Sequence, residues 1–222
     1  MIDINTVTYE GLLAGKYKKE LPELYRLKTV VEHNLPYHNM HAVFDHTLDV
    51  FKSSQGLLTL YFVKDSARKK AIKKELNSMV GEYSRKELTL QSALLHDMAK
   101  SSTIKKKPDG KIVCPKHDEE GAKMIDSFRE RFGWTKADME FVRSMVKNHL
   151  VVTDLVDEAW RNPESKKEIY AKIKEVTGGV YLEEMFLAWA DTAGLHLKKY
   201  DPEYFRHRES VCREMILNEI KI

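Results

Sequence analysis

The chain has 222 residues and a formal net charge of +3, which is too small to argue for a nucleic-acid partner by itself. Its length suits one domain with a full core, and its many Leu, Lys, Glu, Met and Ala residues favour an all-α fold. The N-terminus lacks a signal-peptide pattern, no apolar run could span a membrane, and the two cysteines lie far apart. We therefore expect a cytoplasmic protein with reduced thiols.

Apolar residues spaced three or four apart predict the first helices. This spacing indicates one or two short helices over residues 8–35, which Pro36 ends. The next helix is predicted from about Met40 to Val63. His46 shares a face of that helix with apolar residues and therefore points inward. His41 lies five residues earlier, near the mouth of any site that His46 lines.

Residues 64–85 have the pattern of a separate amphipathic helix. Met79, Val80 and Tyr83 belong to its apolar face, and lysines and arginines form the opposite face. We interpret the basic face as a solvated surface, with a nucleic-acid contact as the alternative. A further helix is predicted from about Lys86 to Lys100.

That further helix carries an adjacent His-Asp pair, His96-Asp97, near its C-terminal end. Asp97 shares a face with apolar residues, and burying such a pair is costly unless other charges or a metal ion match it. Lysines and an Asp-Gly turn follow, and we expect a small β-hairpin at most around residues 104–115.

The C-terminal half is predicted to be helical. His117 begins one helix, and Thr135 caps the next, in which His149 continues a buried face. Residues 151–161 are predicted to form a separate short helix. The most apolar helix is predicted from about Val180 to Tyr200.

Six ionisable residues are thus predicted to face inward from five helices: His46, His96, Asp97, His117, His149 and Asp191. A single inward histidine is more often a core residue than a ligand, but six such residues together favour a metal site. Imidazole and carboxylate groups bind divalent first-row metals such as Mn, Fe, Co, Ni or Zn. Six ligands can hold two ions, and a carboxylate can bridge them.

This pattern resembles the HD-domain metal-dependent phosphohydrolases. In that family a His, an adjacent His-Asp pair and a distal Asp bind metal on an all-helical scaffold. One subgroup adds two histidines and binds two metal ions. The matching residues in this chain are His46, His96-Asp97 and Asp191, with His117 and His149 in the places of the two added histidines.

The segment around the His-Asp pair resembles the HD domain attached to some bacterial tRNA nucleotidyltransferases. That family has a His-Asp-x-Gly-Lys-Pro-x-Thr segment followed by an Asp-Gly turn. Here the segment is His96-Asp97-Met98-Ala99-Lys100-Ser101-Ser102-Thr103, and the turn is Asp109-Gly110. The resemblance implies a single HD domain over 1–222, with a core at about 40–196, a helical elaboration at 64–85, and flanking helices at 1–35 and 201–222.

The resemblance also implies a mechanism. Two divalent ions (Mn, Fe, Co, Ni, Zn or Mg), bridged by Asp97, would activate a water molecule that attacks phosphorus. Lys100 is expected to contact a phosphate oxygen, or else to be a favourable charge at a helix C-terminus. Thr103 is a second candidate for substrate binding. His41 is a candidate for substrate contact or proton transfer, or else a structural residue.

The predicted substrate is a small phosphorylated compound, a nucleotide for preference, with RNA as a less favoured partner and no membrane partner. Two other functions stay open: a di-iron HD-domain oxygenase resembling inositol oxygenase, and a non-catalytic nucleotide-binding module. The segment Tyr37-His38-Asn39 with His41 also resembles the cyclic-nucleotide phosphodiesterases. That likeness leaves His41 as an alternative to His46 for the first metal ligand.

Overall fold

A computed structural model describes residues 1–32, 41–195 and 197–219, so the predictions at Pro36 and at residues 37–39 lie outside the described residues. The described chain is mainly helical, which confirms the all-α prediction. The α-helices are α1 Tyr9–Leu13, α2 Pro22–Arg26, α3 Val43–Leu57, α4 Ser66–Leu76, α5 Arg85–Leu95, α6 His117–Met124, α7 Arg129–Phe132, α8 Lys136–Arg161, α9 Lys166–Thr177, α10 Tyr181–Gly194, α11 Leu197–Tyr200 and α12 Pro202–Glu219.

The predicted hairpin is present as two short strands, β1 Lys105–Lys106 and β2 Ile112–Val113. They pair in antiparallel register, with Lys105 opposite Val113 and Lys106 opposite Ile112. Gly110 in the connecting turn has a φ of 83°, a conformation that glycine adopts without strain. None of the described helices is both long and apolar enough to cross a membrane.

Helix α10 lies at the centre of the fold, packed against α3, α5, α8 and α12. Its sequence is apolar on almost every side, as expected for a helix that other helices surround. Every residue from Tyr181 to Ala190 is buried. Asp191 follows near the C-terminal end of α10, where the chain is less crowded and a cavity opens.

The helix predicted over 86–100 ends earlier, at Leu95. Its start is fixed by a capping box between Ser84 and Glu87. At its end Asp97 leaves the helical conformation, with φ −104° and ψ 5°, and a 3₁₀ turn follows over Met98–Ser101. The prediction of one continuous helix was therefore wrong: the chain changes conformation at Asp97, whose carboxylate contacts groups distant in sequence, such as His46 and His117.

The helix predicted over 64–85 is also shorter, since α4 ends at Leu76. The chain then turns, and Met79 is 61% exposed, so its placement on the apolar face was wrong. A residue of α8 stabilises this turn. The carboxylate of Asp138 accepts hydrogen bonds from the backbone N–H groups of Glu82 and Tyr83, at 3.1 and 3.4 Å. Periodicity could not show this contact, because Asp138 is distant in sequence.

Other boundaries also differ from the prediction. The helix predicted to reach Val63 ends at Leu57. Helix α8 is one helix of 26 residues, so residues 151–161 are not separate from the part that carries His149. The predicted capping box between Thr135 and Asp138 does begin α8. The helix that starts at His117 is interrupted by a 3₁₀ turn over Ile125–Phe128, and α10 stops at Gly194 rather than continuing to Tyr200.

Candidate metal centre

The first cluster joins α3, α5 and α10. The Nε2 atom of His46 lies 3.0 Å from Oδ1 of Asp191 and 3.6 Å from Oδ2 of Asp97. The Nε2 atom of His96 lies 3.4 Å from the same Oδ2 atom of Asp97 and 3.8 Å from Oδ1 of Asp191. The ligand atoms of His46, His96 and Asp97 lie within 4.8 Å of one another, and Asp191 contacts the two histidines at the edge of this group.

The second cluster lies on the other side of the Asp97 carboxylate. Its Oδ1 atom is 3.2 Å from Nε2 of His117 and 3.8 Å from Nε2 of His149. The two imidazole Nε2 atoms are 3.2 Å apart. Each oxygen of Asp97 thus faces a different pair of histidines. Five of the six residues that the sequence analysis selected as ligands fall in the two groups, and Asp191 lies beside the first group without belonging to it.

Backbone carbonyl groups fix the orientation of three of these rings. In His96, His117 and His149, Nδ1 lies 2.9, 2.7 and 2.7 Å from the carbonyl oxygen three residues earlier. A carbonyl oxygen only accepts, so each Nδ1 atom carries a proton and donates it. Each Nε2 atom is then turned inward, the arrangement that metal-binding histidines adopt when a second contact holds the ring.

This orientation suits a cation between the rings. The Nε2 atoms of His117 and His149 lie 3.2 Å apart, so one ion could contact both. Burial, and then the charges of His96 and His117, lower the pKa of His149 to about 3, so that it stays neutral. Ligand atoms about 2.0–2.2 Å from a common ion lie roughly 3 to 3.6 Å from one another. Five of the seven spacings given above fall in this range and the other two are 3.8 Å, so both clusters are compatible with divalent metal ions.

The cavity at the clusters, about 360 Å³ in volume, has a negative lining. Among the described residues that line it, five carry carboxylates and two are permanently cationic, an excess of three negative charges. The carboxylates belong to Glu32, Asp97, Asp154, Asp157 and Asp191, and the cations are Lys100 and Arg208. Divalent cations would balance this excess, because like charges near a low-dielectric wall repel strongly.

The two ligand carboxylates are ionised. Burial alone would raise the pKa of Asp97, but the charges of His96 and Lys100 and a hydrogen bond from His117 hold it well below its usual range. Burial likewise opposes ionisation of Asp191, and the hydrogen bond and charge of His46 lower its pKa. Both side chains can therefore bind a cation at neutral pH without first losing a proton.

Lys100 lies beside the Asp97 carboxylate and is paired there. Its Nζ atom is 3.0 Å from Oδ2 of Asp97 and 2.5 Å from Oε2 of Glu32, and its side chain is buried. Burial disfavours the ammonium, but the carboxylates of Asp97 and Glu32 outweigh that effect and raise its pKa. The ammonium thus holds Asp97 in place, and phosphate contact by Lys100 stays a prediction.

The other two predicted substrate residues differ in position. His41 is exposed and lines the cavity together with His46. Thr103 is not among the described residues that line the cavity, and its hydroxyl donates to the carbonyl of Ala99 at 3.1 Å. The position of His41 suits contact with a substrate. Thr103 would first have to break its hydrogen bond to the Ala99 carbonyl before it could contact a substrate.

The sequence analysis missed the opposite wall of the cavity, formed by α8 and α12. There Arg208 donates from Nε and Nη2 to the two oxygens of Asp157, both at 2.7 Å. The hydroxyl of Tyr204 donates to the same carboxylate at 2.5 Å. The sequence could have indicated that Arg208 is buried. It lies three and four residues before the buried Val211 and Cys212, which places it on the apolar face of α12.

The fold and the clusters define an all-α protein with a His/Asp site suited to divalent metal ions. The sequence model of the HD domain matches residues 43–192, about two thirds of the chain, and the protein belongs to this family. Its members are generally metal-dependent hydrolases of the phosphohydrolase superfamily and bind divalent metals. A search of curated proteins finds no match.

Proposed function

We propose that this protein hydrolyses a small phosphate ester with two divalent metal ions. His46, His96, Asp97 and Asp191 would hold one ion, and His117, His149 and Asp97 would hold the other. The observation that carries the proposal is the position of Asp97, whose two oxygens face different histidine pairs at 3.2 to 3.8 Å. A carboxylate in that position can serve both ions.

The protein side chains divide the remaining work. When bound, the ions supply Lewis acidity and a lowered pKa for water at the reacting phosphoryl group. Lys100 and Glu32 hold the bridging carboxylate of Asp97 in one orientation. His41, exposed at the cavity wall, is placed to contact the substrate or to give a proton to the leaving oxygen.

The cavity supports a small substrate. Its volume of about 360 Å³ falls near the lower end of the range of small-molecule sites, roughly 300–1,000 Å³. We propose a nucleotide or a related phosphoester, with the resemblance to the HD domain of bacterial tRNA nucleotidyltransferases as the support for the nucleotide. RNA is the less favoured substrate, because the chain has little net positive charge.

Metal analysis combined with a substrate panel tests this proposal. Wild-type protein should bind about two Mn²⁺ or Co²⁺ ions per chain and release phosphate, or cleave a diester, from at least one phosphoester. Asp97→Asn should lose both the ions and the turnover, whereas Asp109→Asn, in the exposed hairpin turn, should retain both.

Two outcomes would contradict the proposal. Oxygen consumption by the iron-loaded protein without phosphoester cleavage would support the oxygenase function instead. Binding of metal and nucleotide without any turnover would support the non-catalytic module.

A further inference from the structure

The cavity wall formed by α8 and α12 contains a second cation, Arg208. Arg208 is 4% exposed and lines the same cavity as the metal clusters. Lys100 has carboxylate partners on two sides, Glu32 and Asp97. Arg208 and Lys100 are the two permanently cationic side chains among the described residues that line the cavity, and Arg208 has more N–H groups available to bind a ligand than Lys100 has.

One carboxylate orients the guanidinium. Asp157 accepts from Nε and Nη2 of Arg208, each at 2.7 Å. The guanidinium of Arg208 is also stacked over the ring of Tyr204, 4.6 Å from its centroid. A guanidinium has five N–H donors in a fixed plane, and these two bonds use one edge of it. Among the hydrogen bonds of the described residues, none uses Nη1 of Arg208.

Helix α8 connects this wall to the metal clusters. His149, Thr153 and Asp157 are spaced four residues apart on α8 and line the cavity together. Eight residues of α-helix rise about 12 Å, so Asp157 lies two turns from the ligand His149. Arg208 points into this space from α12. Burial opposes its charge, but Asp157, Tyr204 and Asp191 together raise its pKa.

We propose that Arg208 binds phosphate oxygens of the substrate, with Asp157 and Tyr204 as positioning residues. This inference rests on the proposed function and adds a phosphate-binding group to it. A guanidinium suits this task because it is planar, always charged, and matched to the spacing of phosphate oxygens. The ion pair with Asp157 then holds Arg208 in its binding orientation before substrate arrives.

Phosphate binding to the Mn²⁺-loaded protein tests the inference without requiring turnover. Calorimetry with inorganic phosphate should show binding at least about ten-fold weaker in Arg208→Gln than in wild type, with an unchanged Mn²⁺ stoichiometry. Arg206→Gln is the matched control, since Arg206 lies on the same helix, is exposed, and lines a different cavity. Arg208→Lys should restore part of the affinity.

A purely structural Arg208–Asp157 pair makes a different prediction. Asp157→Asn removes the carboxylate that orients Arg208 but keeps the cation, so phosphate should bind more weakly than in wild type but clearly more tightly than in Arg208→Gln. If the pair were only structural, both single variants would weaken binding alike, and that result would overturn the inference. The double variant Arg208→Gln/Asp157→Asn leaves no buried unpaired charge, and its weak binding would support the inference independently of folding stability.

Lys100→Met separates the two cations of the cavity. This variant should weaken Mn²⁺ binding, because Lys100 holds the bridging carboxylate of Asp97. Loss of phosphate binding in Lys100→Met at full Mn²⁺ occupancy, with normal binding in Arg208→Gln, would overturn the Arg208 inference alone. Failure of wild-type protein to bind Mn²⁺ would overturn the proposed function and the inference together.

Discussion

A buried ion pair connects the N-terminal ends of α5 and α10. Both helices lead to the His/Asp clusters at their C-terminal ends. Arg85, the first residue of α5, donates from Nε and Nη2 to the two oxygens of Glu183 in α10, at 2.7 and 2.8 Å. The C-terminal ends of these helices lead to Asp97 and Asp191. Loss of the pair should therefore affect both stability and the site.

Arg85→Met should destabilise the metal-free protein by about 3–5 kcal/mol, because it leaves a buried carboxylate without its partner. Glu183→Gln should cost less. The exposures explain the difference: the side chain of Glu183 is 0% exposed, whereas that of Arg85 is 18% exposed. Arg85 also donates to the carbonyl of Gly179 and lies 3.5 Å from Glu75, so it keeps partners when Glu183 is neutralised.

Urea unfolding followed by circular dichroism measures these differences, with unchanged slopes as the check that both variants unfold in one cooperative step. The double variant Arg85→Met/Glu183→Met should be much closer to wild type than Arg85→Met, because two apolar side chains replace both charges. A cost below about 1 kcal/mol for Arg85→Met, or equal costs for the two single variants, would refute this reasoning.

Three further predictions concern packing, pH and metal. Gly194→Ala should weaken Mn²⁺ binding about ten-fold or more, because a Cβ atom there would lie 2.7 Å from Cγ2 of Val50 and 3.1 Å from Nδ1 of His46, so α3 and the His46 ring would have to shift. Gly56→Ala, with no atom within 4 Å, is the control. Burial and the neighbouring Glu183 raise the pKa of the buried Glu184 well above 4.5. The folded state therefore keeps a proton on Glu184 that the unfolded state loses. As pH rises above about 4.5, the free energy of unfolding of the wild type should fall relative to that of Glu184→Gln, by up to about 1.4 kcal/mol per pH unit. Parallel profiles of unfolding free energy against pH for the two proteins would contradict this. Mn²⁺ at a hundred times its dissociation constant should add about 2.7 kcal/mol of stability, seen as a higher melting temperature that EDTA reverses; no increase in the wild type would argue against a metal centre.

The sequence predicted most of the site because its ligands lie on helices with clear apolar faces. His46 and His149 continue apolar stripes, and the structure places both at the clusters. Residues whose positions depend on tertiary contacts were missed. Glu32 lies within the span 8–35 predicted as helical, but the described part of that span is no longer helical after Thr29, and the buried Glu32 pairs with Lys100. Asp157 reaches the cavity because α8 continues through it without interruption.

The break in the helix at Asp97 explains how one dipeptide can serve both clusters. In a regular α-helix, adjacent side chains point about 100° apart, so His96 and Asp97 could not both face the same point. The turn at Asp97, with φ −104° and ψ 5°, brings its Oδ2 atom within 3.4 Å of Nε2 of His96. The same turn leaves Oδ1 facing His117 and His149. The departure from helical geometry, which local sequence preference does not predict, is thus what places the carboxylate between the two histidine pairs.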